Sequence, residues 1–175
     1  VYYFIEMDWY QKLVSRAKNS TFYRWVLNQG LSFKIPFNRP HGIKITHISE
    51  DGMEVLLSYK RKNFNHIKGM HACALATASE YIAGLVLLRK LGTTKYRLIM
   101  ESMHIKYFAQ AKSDVTATFE LTDEQVEEMV ILPLKNRESV MVEFTTTTMD
   151  KQGRKISEAL TRWQVKPWDK VRTKI

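Results

Sequence analysis

From Ala72 to Leu88 the chain is almost unbroken apolar or tiny residues, and the one carboxylate in that run is Glu80, near its middle. Alanines at 72, 74, 76, 78 and 83, with Gly84 beside them, leave no polar stripe. Read as a helix from Gly69 to Leu91, the segment is apolar nearly all round, so other elements must wrap it. Arg89 and Lys90 suit the negative end of such a helix, and Gly92 is placed to close it. A carboxylate inside a bilayer is costly, so the reading is a buried core helix and no membrane span. With 175 residues, 45% of them hydrophobic, one domain can build the core this demands.

The flanking patterns say what does the wrapping. Residues 6 to 29 read as one or two helices, broken near Asn19-Ser20 with Ser20 as a cap, and Gly30 as a stop. A loop with Pro36 and Pro40 follows. Residues 43 to 48 and 53 to 59 alternate as strands around an Glu50-Asp51-Gly52 turn. After the central helix come strands at 96 to 107 and 114 to 121, then a short helix opened by Thr122 and ended by Pro133. Strands at 139 to 149 and 155 to 167, joined by a turn at 150 to 153, complete the chain. This is an α+β protein. An antiparallel sheet needs one face covered, and a single apolar helix is the cover. The division expected is a helical arm over 1 to 34 and a main domain over 35 to 175.

A formal net charge of +9 attracts anions: nucleic acid, membrane phosphates or a phosphorylated ligand. The cations are dispersed, with local runs at Lys60-Arg61-Lys62 and Lys166 to Lys174, so a solvated surface is the simpler reading. No recognition-helix or zinc pattern supports nucleic-acid binding. His66, His71 and Cys73 lie close together, yet without a paired CxxC no metal site is expected. A G-x-S-x-G elbow is missing as well. Cys73 is the single cysteine, which rules out an intrachain disulfide and fits a reducing compartment. The opening VYYFIEMDWYQ lacks the basic region of a secretory signal, so a cytoplasmic location is expected.

Chemistry concentrates between Asn65 and Glu80. There a polar loop containing Gly69 enters the helix, whose first residues are small. A helix start offers unpaired, positively polarised N–H groups, and small side chains at Ala72 and Ala74 let a ligand approach them. That is an oxyanion site in outline. Glu80 in apolar surroundings should have a raised pKa and suit activation of water or attack on a carbonyl, unless a structural donor satisfies it. Ala72 and Glu80 are eight residues apart, about 12 Å of helical rise, too far for both to reach one carbon within one chain. If both act, one subunit supplies the helix start and another the carboxylate, as a twofold dimer allows.

The segment resembles the signature of hotdog-fold thioesterases of the phenylacetyl-CoA-thioesterase-like superfamily. In that signature an Asn or Gln precedes a His-Gly-Gly by six residues and an acid follows the His by nine. Asn65 precedes His71 by six, and Glu80 follows it by nine. Within the superfamily the chain looks most like a poorly characterised branch carrying Asn-His, then His-Ala-x-Ala-Leu, then Glu. The resemblance implies a hotdog fold, an antiparallel sheet wrapped around a long central helix, here with an N-terminal helical extension. It also implies hydrolysis of acyl-CoA or a related acyl thioester by a homodimer or dimer of dimers, with CoA as part of the substrate and no other cofactor. In the implied roles Glu80 is general base or nucleophile, the Ala72 N–H polarises the carbonyl, His71 holds the thioester, and Asn65 orients water or carbonyl. His66, Gly69, Cys73 and Thr77 would line the substrate, with Lys106 and, more weakly, Arg97 against CoA phosphates. His-Gly-Gly reads His71-Ala72-Cys73 here. The N–H survives that change, but a Cβ and a sulfur narrow the approach. Two alternatives use the same scaffold: an enoyl hydratase or hydroxyacyl dehydratase pairing His66 with Glu80, and a non-catalytic acyl-CoA-binding protein. The loop after His66 lacks the Pro-rich segment of hotdog dehydratases, which favours hydrolysis.

Overall fold

The computed structural model describes residues 2–92 and 94–172. Two helices, α1 (Tyr2–Lys18) and α2 (Thr21–Lys34), precede strands β1 (Lys44–Ile48) and β2 (Gly52–Leu57). The central helix α3 spans Ala72–Leu91. It is followed by β3 (Tyr96–Tyr107), β4 (Val115–Glu120), a short helix α4 (Asp123–Val126), β5 (Val140–Asp150) and β6 (Lys155–Pro167). The strands form one six-stranded antiparallel sheet in the order β1-β2-β4-β5-β6-β3. This is the expected helix wrapped by a sheet.

Burial follows the period-two alternation. In β5 every second residue from Val140 to Asp150 is buried, and Val142, Phe144, Thr146 and Thr148 are among them. On α3 buried residues occur all around the helix, including Leu75, Ala78, Ile82, Val86 and Leu87. By length and composition α3 could cross a membrane, but most of it is buried inside the protein, as a core helix should be. Its C-terminal end is clamped as well as charge-matched. Arg89 donates to the carbonyls of Ser49 and Glu50 at 2.8 and 2.9 Å, and Lys90 pairs with Asp51 and Asp123 at 2.9 and 2.7 Å.

The arm shares this core. Tyr10, Leu13, Val14 and Ala17 of α1 and Leu27 and Leu31 of α2 are buried in it. The Tyr10 hydroxyl donates to the Leu85 carbonyl at 2.9 Å, and Asn28 binds both backbone groups of Ile45, at 2.8 and 3.0 Å. Ser20 caps α2 by accepting from the Tyr23 N–H, as its position suggested.

Several boundaries differ from expectation. Gly30 does not stop α2, which runs to Lys34. A Cβ at Gly30 would lie 2.6 Å from the Trp9 ring, so the glycine permits close packing of α1 on α2. The central helix starts at Ala72 rather than Gly69, because His71 is its N-cap. Pro133 does not end the helix after Thr122. The chain widens into a π turn over Glu127–Ile131 and makes a last helical turn at Leu132–Leu134. The Leu132 N–H reaches the Glu127 carbonyl, five residues back, and this wider turn accommodates the proline ring.

Candidate active site

The loop before α3 is built by two asparagines. Asn63 is buried and donates through Nδ2 to the His41 and Ser58 carbonyls, both at 2.9 Å, while its own carbonyl accepts the His71 N–H at 2.7 Å. Asn65 Oδ1 accepts from the Ile67 and Gly69 N–H groups at 3.1 and 2.8 Å. This turn holds Lys68 at φ 60°, and the Tyr59 hydroxyl donates to the Lys68 carbonyl. Met70 N–H then bonds the Ala111 carbonyl at 2.9 Å. The chain therefore enters α3 along one fixed path.

His71 caps the helix with its side chain: Nδ1 accepts the Cys73 N–H at 3.0 Å. A neutral imidazole so engaged carries its proton on Nε2 and presents a donor outward. The Ala72 N–H, at the first helical position, has no hydrogen-bond partner among the described residues. His71, Ala72 and Cys73 are all exposed, so this polarised N–H is open to a ligand. The Tyr107 hydroxyl, at the end of β3, donates to the Ala72 carbonyl at 3.1 Å and ties strand end to helix start.

Glu80 lies two turns further on, in different surroundings. It is half-buried on the wall of a cavity of about 420 Å³, lined also by Ile35, Tyr81, Gly84, Leu98, Trp163 and Trp168 among others. No cation or hydrogen-bond donor reaches its carboxylate among the described residues. Desolvation alone raises its pKa above the usual glutamate value. The neighbouring Tyr81 hydroxyl is pushed up too, by burial and then by the Glu80 charge.

The expected site residues thus fall into two groups within one chain. Asn65, His66, Gly69, His71, Ala72, Cys73 and Thr77 sit around the helix start. Glu80 and Arg97 line the cavity. Thr77 is turned onto its own helix, donating to the Cys73 carbonyl at 2.8 Å. Gly69 is buried against Gln110, and His66 is exposed on the loop and does not line the cavity. Arg97 Nη2 donates to Gln164 at 3.1 Å, and its buried Nε is unpaired among the described residues. Lys106 is exposed at the other end of β3, paired in register with Glu158 and near Tyr107. Asn63 and Tyr107 were not anticipated. An amide in a polar loop and a tyrosine at a strand end carry no local signal of such contacts.

Among solved structures the fold recurs. The Pseudomonas aeruginosa protein PA5026, named a probable thioesterase of unknown function, is 22% identical, with 81% of this chain and 94% of that one covered and a TM-score of 0.74. Thioesterase HI1161 from Haemophilus influenzae is 15% identical over 85% and 93% of the two chains, with a TM-score of 0.63. Variants of the Staphylococcus aureus thioesterase SAV0944, each 16% identical over 75% of this chain and at least 98% of theirs, superpose with TM-scores of 0.60 and 0.61. In them a glutamate, or a glutamine fifteen residues before it, is changed to alanine. At these identities the likeness establishes the hotdog fold. No curated protein matches the chain by sequence. A family model described as a domain of unknown function does match, over residues 23–165. That span takes in α3, all of the sheet but the last two residues of β6, and most of α2, and the chain belongs to this family, DUF4442.

Proposed function

We propose that the protein hydrolyses acyl thioesters of the acyl-CoA class, at a site shared by two subunits. The observation that carries this reading is Glu80: a desolvated carboxylate, without a counter-ion among the described residues, on the wall of a largely apolar cavity. A base whose pKa lies above the ordinary carboxylate range takes a proton from water more readily than a free glutamate does. The helix start supplies the complementary part, an unpaired N–H for the oxygen of a polarised carbonyl.

Strand β3 supports the shared site. It is an edge strand of 12 residues with its outer side open, and Ile99 and Tyr107 along it and Phe108 just after it are exposed. Long open edges favour pairing with another chain. The first residues of β3 line the Glu80 cavity, and its last residue bonds Ala72. Antiparallel pairing of two β3 strands about their middle would set the cavity end of one against the helix start of the other. Glu80 of one subunit and the Ala72 N–H of its partner then face one thioester. The same pairing would bring Arg97 and Lys106 of opposite subunits to one mouth, suited to CoA phosphates. Asn65 and Glu80 are fifteen residues apart, the spacing of the glutamine and glutamate altered in the Staphylococcus aureus thioesterase.

In this scheme the acyl chain occupies the cavity and the carbonyl oxygen accepts from the Ala72 N–H and from His71 Nε2. Glu80 removes a proton from water as its oxygen adds to the carbonyl carbon. The tetrahedral intermediate collapses with cleavage of the carbon–sulfur bond, and the proton passes to the leaving thiolate. Release of free thiol from a series of acyl-CoAs tests the reading. Glu80→Gln should fold and still bind substrate, but lose about 10²- to 10⁴-fold in kcat. Full activity in that variant, or no thiol release from any acyl-CoA by the parent protein, would reject it.

A further inference from the structure

Helix α2 faces solvent with its aromatics. Leu27 and Leu31 point into the core, and on the opposite side of the helix Phe22, Trp25 and Phe33 are 64%, 59% and 79% exposed. Phe22 and Trp25 stack with ring centroids 6.3 Å apart, and Phe37, just beyond the helix, is 70% exposed. The usual amphipathic order is inverted: the outer face is a ridge of large apolar rings. Scattered exposed apolar residues need no explanation, but four aromatics from one helix and its exit do.

A second, independent feature lies in the same segment. Between Trp9 and Ser49 there are seven Lys or Arg and no Asp or Glu. With Glu6 and Asp8 counted, residues 1–49 carry a net +5 of the formal +9. Arg16, Arg39 and Lys44 are exposed in this stretch. Lys18 is paired with Glu50, and the stretch as a whole remains net positive. An aromatic ridge on a net-positive segment matches the headgroup layer of an anionic bilayer: rings enter the interface and cations meet lipid phosphates. A second copy of the chain would bring the same positive surface and be repelled. A nucleic acid would satisfy the cations but leave the ridge of rings without an apolar partner.

We infer that the outer face of α2 docks the protein on anionic membrane surfaces, with Phe22, Trp25 and Phe33 as the inserting residues. The inference does not depend on the reaction catalysed. Co-sedimentation of the full chain with vesicles of phosphatidylcholine, with and without phosphatidylglycerol, tests it. The protein should sediment with the phosphatidylglycerol vesicles, remain in solution with phosphatidylcholine alone, and be released as salt is raised. The triple variant Phe22→Ser, Trp25→Ser, Phe33→Ser should keep its melting temperature and lose roughly tenfold or more in vesicle affinity. Three results would overturn the proposal: no sedimentation of the parent protein, equal binding by the triple variant, or a triple variant that binds vesicles normally but changes oligomeric state.

Discussion

A carboxylate that no cation or donor reaches works against folding, and Glu80, so placed among the described residues, carries that cost in a form that can be measured. Desolvation raises its pKa in the folded chain, so the folded state holds the proton more tightly than the unfolded one. Stability is therefore fully kept below the ordinary glutamate pKa and falls as pH rises from there through the raised value. Glu80→Gln, which is always neutral, should melt a few degrees above the parent at neutral pH, with the gap closing as the solution is acidified. Melting curves across that range check this, and parallel curves would mean the carboxylate is satisfied in solution. The same residue shows what sequence can reveal: an acid inside an apolar run stands out with no structure at all. Asn63 does not stand out. Its partners His41, Ser58 and His71 converge only through the fold, and nothing in the local sequence separates it from a solvent-exposed loop asparagine.

Among the elements, α3 and the strands announced themselves through period and composition, and the errors arose where one element touches another. Gly30 looks like a helix stop because glycine often is one; its role is contact with Trp9, twenty-one residues away. Pro133 looks like a terminator, and the π turn before it removes the conflict. Gly84 illustrates the same dependence inside the cavity. A Cβ there would sit 3.3 Å from the Trp163 ring, so the glycine keeps space open between α3 and β6. Gly84→Val should narrow that space and cost about 1–3 kcal/mol through crowding of Trp163. On the acyl-pocket reading it should also lower kcat/KM for long acyl chains by about tenfold or more relative to short ones. A chain-length series with the two proteins decides it, and an unchanged preference would remove the cavity from the substrate's path.

For the whole molecule, the order of strands was the least legible feature. Which strand lies beside which is set by contacts distant in sequence, and nothing in β3 itself says that it crosses over to pair with β6. The shared site makes a prediction at this scale. Ala72 occupies the first helical position, where proline is well tolerated, and His71 before it is already extended at φ −68°, ψ 137°. Ala72→Pro should therefore fold yet lack the N–H, and turnover should fall about 10²- to 10³-fold. Unfolding and re-associating this variant with Glu80→Gln would give hybrids in which one site carries both changes and the other neither. Random mixing should restore about a quarter of the parent activity. No recovery from hybrids shown to form would place both groups within one chain. The two ends of the sheet also differ: β1 has five residues and a register shift between Ile45 and His47, whereas β3 runs for twelve. β3 has a register shift too, between Met100 and Ser102, so length is what separates them, and only one border is long enough to recruit a neighbour. The β1 border is in addition covered from α2, where Asn28 occupies both backbone groups of Ile45 and Arg24 donates to the Thr46 carbonyl. In the proposed pairing through β3, growth by strand addition would therefore end after a single step, because the border left at each outer end is already occupied.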